Sequence, residues 1–351
     1  MKKVYLIDKQ GEFVGHYHIM HSLAAIPGTE ELDSTEEVIS IRSPFKCVKE
    51  RIRVIKHCLS ESVRRSQGAG CIAHFITADK FYYFYWLFPG KLLKENVIFT
   101  IHGVPDGRIK MYLLKRAAHR INKIIVLSDY IKERLLESGI TNVESIQHPS
   151  FYDYSDIASK AELKHCRGVE NRIVLSFLGA TRVDKGLDLV FDAICMLPKE
   201  IRKRIVLNIA GKATDVSHEF CMNRALEAGC EVLDNMRVLS EKEFKESVRI
   251  SDVILVPYCR SFNNVSGPMS EAFALGVPCI IPDHGIFQSY RGIQGYDMSF
   301  ETENAESLAT KIGDVIEAIE DGKLRPKVTE DFVLSTFLRR HREIYSCDGG
   351  I

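Results

Sequence analysis

The run Phe177-Leu178-Gly179-Ala180-Thr181-Arg182-Val183-Asp184-Lys185-Gly186-Leu187 places two cations in a glycine-bounded loop between an apolar stretch and an amphipathic one. Arginine and lysine donors gathered near a helix start stabilise negative charge building on a phosphate group without help from a metal. On its own an Arg-x-x-Lys pair is more often a solvated loop charge; its position between strand and helix argues for an anion site. A second run, Ser266 to Pro278, has Pro268 where a first helical residue belongs and Gly276 where the helix should stop. The open amides at its start, preceded by Asn263, Asn264, Val265 and Ser266, would present partial positive charge to a phosphate. Glu271, expected in the first turn, either accepts hydrogen bonds from two adjacent ribose hydroxyls or merely complements the helix dipole.

Other groups are more ambiguous. His102 ends a strand-like run and precedes Gly103, so it is either a substrate contact or a histidine satisfied within its loop. Gly11 and Gly15, with His16, follow the first strand-like run and mark either an ordinary turn or a place where backbone approaches a ligand. His16, His18 and His21 have no acidic or cysteine ligand beside them, which argues against a metal cluster. Gly68-Ala69-Gly70-Cys71 precedes a strand instead of opening a helix, so it reads as a turn and not as a dinucleotide fingerprint.

The elements that must hold these residues alternate in type. Val4–Ile7, Cys71–Thr77, Val97–His102, Lys123–Leu127 and Ser145–Gln147 read as strands, mostly with helical patterns between them. A second series restarts after residues 150–171 with Arg172–Leu178, Arg204–Ala210, Arg237–Leu239, Val253–Val256 and Pro278–Ile281. Apolar strands alternating with helices imply parallel sheets covered on both faces, hence two doubly wound α/β domains with ligands at the carboxyl ends of their strands. At 351 residues the chain suits two cores. The expected division is residues 1–165, 166–327, and a final amphipathic stretch in 328–351 that either closes the second domain or crosses back to the first.

Charge and cysteine use narrow the class. The formal net charge is zero, yet residues 1–150 carry about six more basic than acidic groups. No recognisable nucleic-acid motif accompanies that excess, which argues against nucleic acid as a partner. Ten cysteines fall without a Cys-x-x-Cys pair or an even framework, which with the absence of a signal core reads as a reduced, cytoplasmic protein. The basic residues Lys46, Lys49, Arg51, Arg53, Lys56, Arg64 and Arg65, with those around Phe81 to Phe88, either meet anionic lipid at the inner face of a membrane or form a solvated helix face.

Taken in order, the loop Gly179 to Gly186, the run Asp252 to Pro257 and the helix Ser266 to Pro278 resemble glycosyltransferase family 4, the retaining glycosyl group 1 transferases. Val126-Leu127-Ser128, Tyr130 to Leu136 and Ile146-Gln147-His148-Pro149 resemble the end of that family's N-terminal domain, so the likeness spans nearly the whole chain. The resemblance implies a GT-B fold, two Rossmann-like domains facing a cleft, and transfer of a hexose-type sugar with retention. The donor would be a UDP-, GDP- or ADP-sugar and the acceptor a glycan or lipid-linked saccharide. It also implies a catalytic set of Arg182 and Lys185 on the diphosphate, Glu271 on the ribose and His102 on the transferred sugar. Gly11, Gly15, Gly179, Asn263, Val265, Ser266 and Gly267 would line the donor site. Many relatives have Glu where this chain has Asn263, so the contact to the donor sugar loses its charge but keeps hydrogen-bonding capacity. The chain has no Asp-x-Asp pair, so no metal or other cofactor is expected. The alternatives are a catalytically inactive nucleotide-sugar-binding protein and a nucleotide-sugar epimerase on the same fold.

Overall fold

The computed structural model describes residues 2–8, 14–32, 44–66, 70–88, 96–262 and 264–346. The chain divides into two compact units: residues 1–151 with 334–351, and residues 152–333. The changes of unit therefore fall at 151/152 and 333/334, against expected boundaries at 165/166 and 327/328. Residues 152–165 carry no strand and few apolar side chains, so the sequence gives no mark of where one core ends there.

Unit 1 is built on six parallel strands, β1 (Lys3–Ile7), β2 (Thr29–Glu31), β3 (Cys71–Phe75), β4 (Val97–Ile101), β5 (Lys123–Val126) and β6 (Val143–Ser145), in the order β2-β1-β3-β4-β5-β6. Every residue of β3 and β4 is buried, as expected where both faces of a parallel sheet are covered. Helices α1 (Val14–Ala24), α2 (Pro44–Arg65), α3 (Arg108–Ala118) and α4 (Asp129–Glu137) make the crossovers. Phe75 meets Phe81, Phe88 and Phe99 edge-on with ring centroids 5.5, 5.5 and 5.6 Å away, so Phe81 and Phe88 of the aromatic run after β3 belong to the core, while Trp86 of the same run is exposed.

Unit 2 starts with α5 (Lys160–Arg167), whose Ser159 and Glu162 form a capping box, and continues with β7 (Ile173–Leu178), α6 (Leu187–Met196), α7 (Lys199–Arg202), β8 (Ile205–Ala210), α8 (His218–Ala228) and β9 (Glu231–Asn235). Then come α9 (Glu241–Arg249), β10 (Val253–Leu255), α10 (Gly267–Leu275), β11 (Cys279–Pro282), β12 (Ser299–Phe300) and α11 (Ala305–Glu320). The strand order β12-β11-β10-β7-β8-β9 is the doubly wound arrangement, with its direction of travel reversing between β7 and β10. Leu175, Phe177, Leu207 and Ile209 pack against Val190, Phe191, Ile194, Leu308 and Ile312. A buried polar row crosses this sheet: Asn235 donates to Asn208 Oδ1 at 3.1 Å, Asn208 donates to Ser176 Oγ at 3.1 Å, and Ser176 Oγ lies 2.6 Å from Ser251 Oγ, whose proton goes to Ser247 O at 2.7 Å. Because each member is satisfied, the row adds register without an unpaired buried group.

Arg237–Leu239, expected as a strand, is a connection; the strand is the preceding β9, a half-exposed edge whose Glu and Asp residues hid it. Strand β6 lies two residues earlier than expected, and the short edge strands β2 and β12 left no alternating pattern.

The last helix, α12 (Leu334–Ser346), packs into unit 1. Phe337, His341 and Tyr345 are its buried face. Tyr345 Oη and His74 Nδ1 are 2.7 Å apart, the other ring nitrogen of His74 lies 2.8 Å from Thr100 Oγ1, and His341 Nδ1 donates to Phe337 O at 2.9 Å. Burial holds both imidazoles below their ordinary 6.5, His341 at about 4. A histidine kept neutral in the fold but free to protonate when unfolded gives a stability that is complete above the unfolded value and is lost as pH falls towards the folded one. Urea unfolding should therefore show stability declining between about pH 6.5 and pH 4, with a shallower decline in His341→Gln.

Candidate nucleotide site

The reversal of strand order in unit 2 brings the loops after β7 and β10 side by side at the carboxyl ends of the sheet, where open α/β sheets bind ligands. The first loop leaves β7 through Gly179, whose amide donates to Ala210 O at 2.7 Å and whose φ is +100°. A Cβ at Gly179 would stand 2.7 Å from Lys185 Nζ, so the ammonium lies directly over the glycine. Val183–Lys185 form one tight 3-10 turn, closed by Gly186 at φ +66°. A Cβ at Gly186 would fall 2.2 Å from the carbonyl oxygen of Pro257, in the second loop. The amide of Cys259 donates to Asp184 O at 3.0 Å and fastens the two loops a second time.

The two cations are presented differently. Lys185 Nζ stands 5.4 Å from the ring centre of Tyr258, a buried residue just after β10. Arg182 is half-exposed; its Nε donates to Asp184 Oδ1 at 2.8 Å, and its guanidinium lies 5.8 Å from the Phe262 ring centre. The Arg182 pairing holds the Asp184 carboxyl below its ordinary value and raises the guanidinium, so both remain charged. Asp184 engages the guanidinium through two of its five donors, so the remaining ones are available to a phosphate oxygen.

Helix α10 begins at Gly267 with Ser266 as its N-cap, and Pro268 is its second residue. The buried Ser266 hydroxyl accepts from Met269 N at 3.3 Å and donates to Tyr258 Oη at 3.3 Å. Tyr258 thus joins Lys185 to the start of α10, and among the described residues nothing stands within 4 Å of where a Cβ on Gly267 would be. Gly276 closes the helix in the left-handed conformation at φ +64°. Glu271 is the fifth residue of α10, beyond the first turn where it was expected, because the helix starts earlier than the position of Pro268 suggests. Glu271 lies four residues after Gly267 and so on the same helix face, and it is buried, with Oε2 accepting from Tyr154 Oη at 2.7 Å.

Gly179, Lys185, Ser266 and Gly267 are therefore gathered by the structure, Arg182 stands at the outer side of the same loop, and the half-buried Val265 leads into the cap. Asn263 and Gly11 lie outside the described residues. Gly15 lies within α1, not in the loop in which it was expected.

His102 belongs to unit 1 and follows β4. Its Nε2 donates to Ile76 O at 2.8 Å and its amide to the Asp79 carboxylate at 3.1 Å, so backbone and ring are both anchored to the segment after β3. The protein packed around Asp79 pushes that carboxyl above its ordinary value, against the pull of His102. Tyr258, Phe262, Tyr154 and Asp79 were not foreseen. The aromatics after β10 and the acid after β3 sit where strands end, which was the available signal.

Residues 160–330 match the family model described as glycosyl transferases group 1, a segment lying within unit 2 that contains Arg182, Lys185, Ser266 and Glu271. Among curated proteins none matches the chain. In structure it is similar to Anabaena HepE solved in complex with UDP, at a TM-score of 0.71 and 12% identity, covering 98% of this chain and 99% of that one. It is also similar to a glycosyltransferase from Rickettsia africae, at 0.66 and 16% identity, covering 98% of each chain. A sucrose-phosphate synthase from Thermosynechococcus elongatus gives 0.67 and 13% identity, again with 98% of each chain covered. The two six-stranded parallel sheets with flanking helices are those of the GT-B fold.

The close approach at Gly186 has a direct consequence. Gly186→Ala requires both a left-handed backbone and displacement of the Pro257 carbonyl, so it should cost about 2 kcal/mol or more in urea unfolding. Arg182→Ala, at a half-exposed loop position, should stay within about 0.5 kcal/mol of the parent.

Proposed function

We propose that the protein is a glycosyltransferase that takes a hexose-type sugar from a nucleotide-diphosphate donor, with retention, and passes it to a glycan or lipid-linked saccharide. The observation that carries this reading is the cationic loop at the strand-order reversal of unit 2, joined through Tyr258 to the open start of α10. As the sugar departs, charge grows on the diphosphate. Lys185 and Arg182 hold donors for that charge in advance, and the start of α10 adds backbone dipoles of the same sign. Glu271 anchors the ribose of a UDP-, GDP- or ADP-sugar. His102, with its Nε2 proton committed to Ile76 O, orients the transferred sugar, and Asn263 meets that sugar's hydroxyls. With two cations in place of a metal bridge, the reaction runs without a divalent ion or cofactor.

Thermal protection by UDP-, GDP- and ADP-sugars in EDTA tests this site. One of the three should raise Tm, and Lys185→Ala and Glu271→Ala should abolish the rise. Lys185→Ala should also lower transfer or donor hydrolysis about a hundredfold or more. Protection without transfer or hydrolysis would favour an inactive nucleotide-sugar-binding protein, and epimerised donor would favour the epimerase reading.

The proposal includes contact between unit 1 and anionic lipid on the cytoplasmic face of a membrane. Among the described residues no helix is long and apolar enough to cross a membrane. Arg53, Arg64 and Arg65 of α2 pair with Glu50 and Glu61, which weakens that helix as a lipid site. Residues 107–128 carry six Lys and Arg, of which Lys110 and Lys123 lie only loosely against Asp106 and Glu144 at 3.8 and 4.0 Å, and Ile109 and Tyr112 of α3 are 76% and 58% exposed. Flotation with phosphatidylglycerol vesicles, but not phosphatidylcholine ones, is the expected result, lost in Arg108→Glu with Lys110→Glu.

A further inference from the structure

Unit 2 begins with an irregular segment that is tied down more heavily than a connection requires. The Tyr152 ring packs 5.3 Å from that of Phe244. Lys245, only 5% exposed, donates to Asp153 O at 2.9 Å and to the Asp156 carboxylate at 2.7 Å. Arg249 stands 5.4 Å over the Tyr154 ring and donates to Tyr154 O at 3.2 Å. These ties, all made by α9, aim one group: the Tyr154 hydroxyl, which donates to Glu271 Oε2 at 2.7 Å.

Both partners are buried, Tyr154 at 6% and Glu271 at 3% exposed. A carboxylate at that depth needs hydrogen bonds to stay charged, and one with a fixed oxygen can no longer turn about its last torsion. Recognition of two neighbouring hydroxyls depends on that torsion, because both oxygens must meet donors at set positions. Burial and the neighbouring Glu271 raise the Tyr154 hydroxyl well above its ordinary value, so it remains a donor throughout the physiological range.

We propose that Tyr154 is a positioning residue that fixes the Glu271 carboxylate for the ribose diol, making the site selective for ribonucleotides over deoxyribonucleotides. This rests on the reading of Glu271 as the ribose anchor.

The test compares UDP, GDP and ADP with their 2′-deoxy and 3′-deoxy counterparts by calorimetry on the full chain, in the parent, Tyr154→Phe and Glu271→Gln proteins. The parent should prefer the ribonucleotide of its chosen base by about tenfold or more, and Glu271→Gln should remove the preference. Tyr154→Phe, which keeps the packed ring, should cut the preference by about fivefold or more while leaving affinity for the deoxynucleotides unchanged. The double variant should lose no more than Glu271→Gln alone. If Tyr154→Phe keeps the preference that Glu271→Gln loses, or weakens ribo and deoxy forms alike, the hydroxyl only packs the segment and the inference falls. If Glu271→Gln itself keeps the preference, or no nucleotide binds the parent, the ribose assignment fails first and the inference with it.

Discussion

The close approach of Gly186 to the Pro257 carbonyl is the constraint on which the candidate nucleotide site rests. It sets how near the loop after β7 comes to the loop after β10, and every candidate donor hangs from one of the two. Lys185 precedes that glycine and leans on Tyr258, which follows Pro257 and hydrogen-bonds the cap of α10. A side chain at residue 186 would separate the loops and part the ammonium from the helix start together. Tertiary contact therefore decides the position of the cations more than the loop's own sequence does.

The two cations are held in different ways that charge counting hides. Lys185 is held over an aromatic ring inside the loop, whereas Arg182 is half-exposed and carries its own counter-ion in Asp184. An ion pair at that exposure contributes little to stability, and its geometric effect is to fix the plane of the guanidinium. A guanidinium with a carboxylate at one edge still offers donors at its other edge, which a lysine in the same place would not do in a fixed plane.

Much of this was legible in advance, for identifiable reasons. Strands such as β7 and β8 are buried along their whole length and so read as unbroken apolar runs, and α10 announces its stop with Gly276. The edges were not legible: β2 and β12 are three and two residues long, and β9 carries charges on its solvent side. The polar row through Ser176, Asn208, Asn235 and Ser251 was invisible, because its members lie far apart in sequence and look like ordinary small polar residues. The site showed the same split. Arg182 and Lys185 were marked by their place between strand and helix and Glu271 by the family resemblance, whereas Tyr154, which meets Glu271 across 117 positions of chain, carried no local mark.

The return of α12 to unit 1 bears on how the protein is made. His74 acquires its Tyr345 and His341 neighbours only after the whole of unit 2 has been synthesised. Domains generally fold as they emerge. Here the first-made unit must wait with a polar patch on its sheet uncovered, while the second, contiguous unit can fold ahead of it. The order of completion is thus the reverse of the order of translation, and a ribosome stalled within unit 2 would leave unit 1 a substrate for chaperones and proteases.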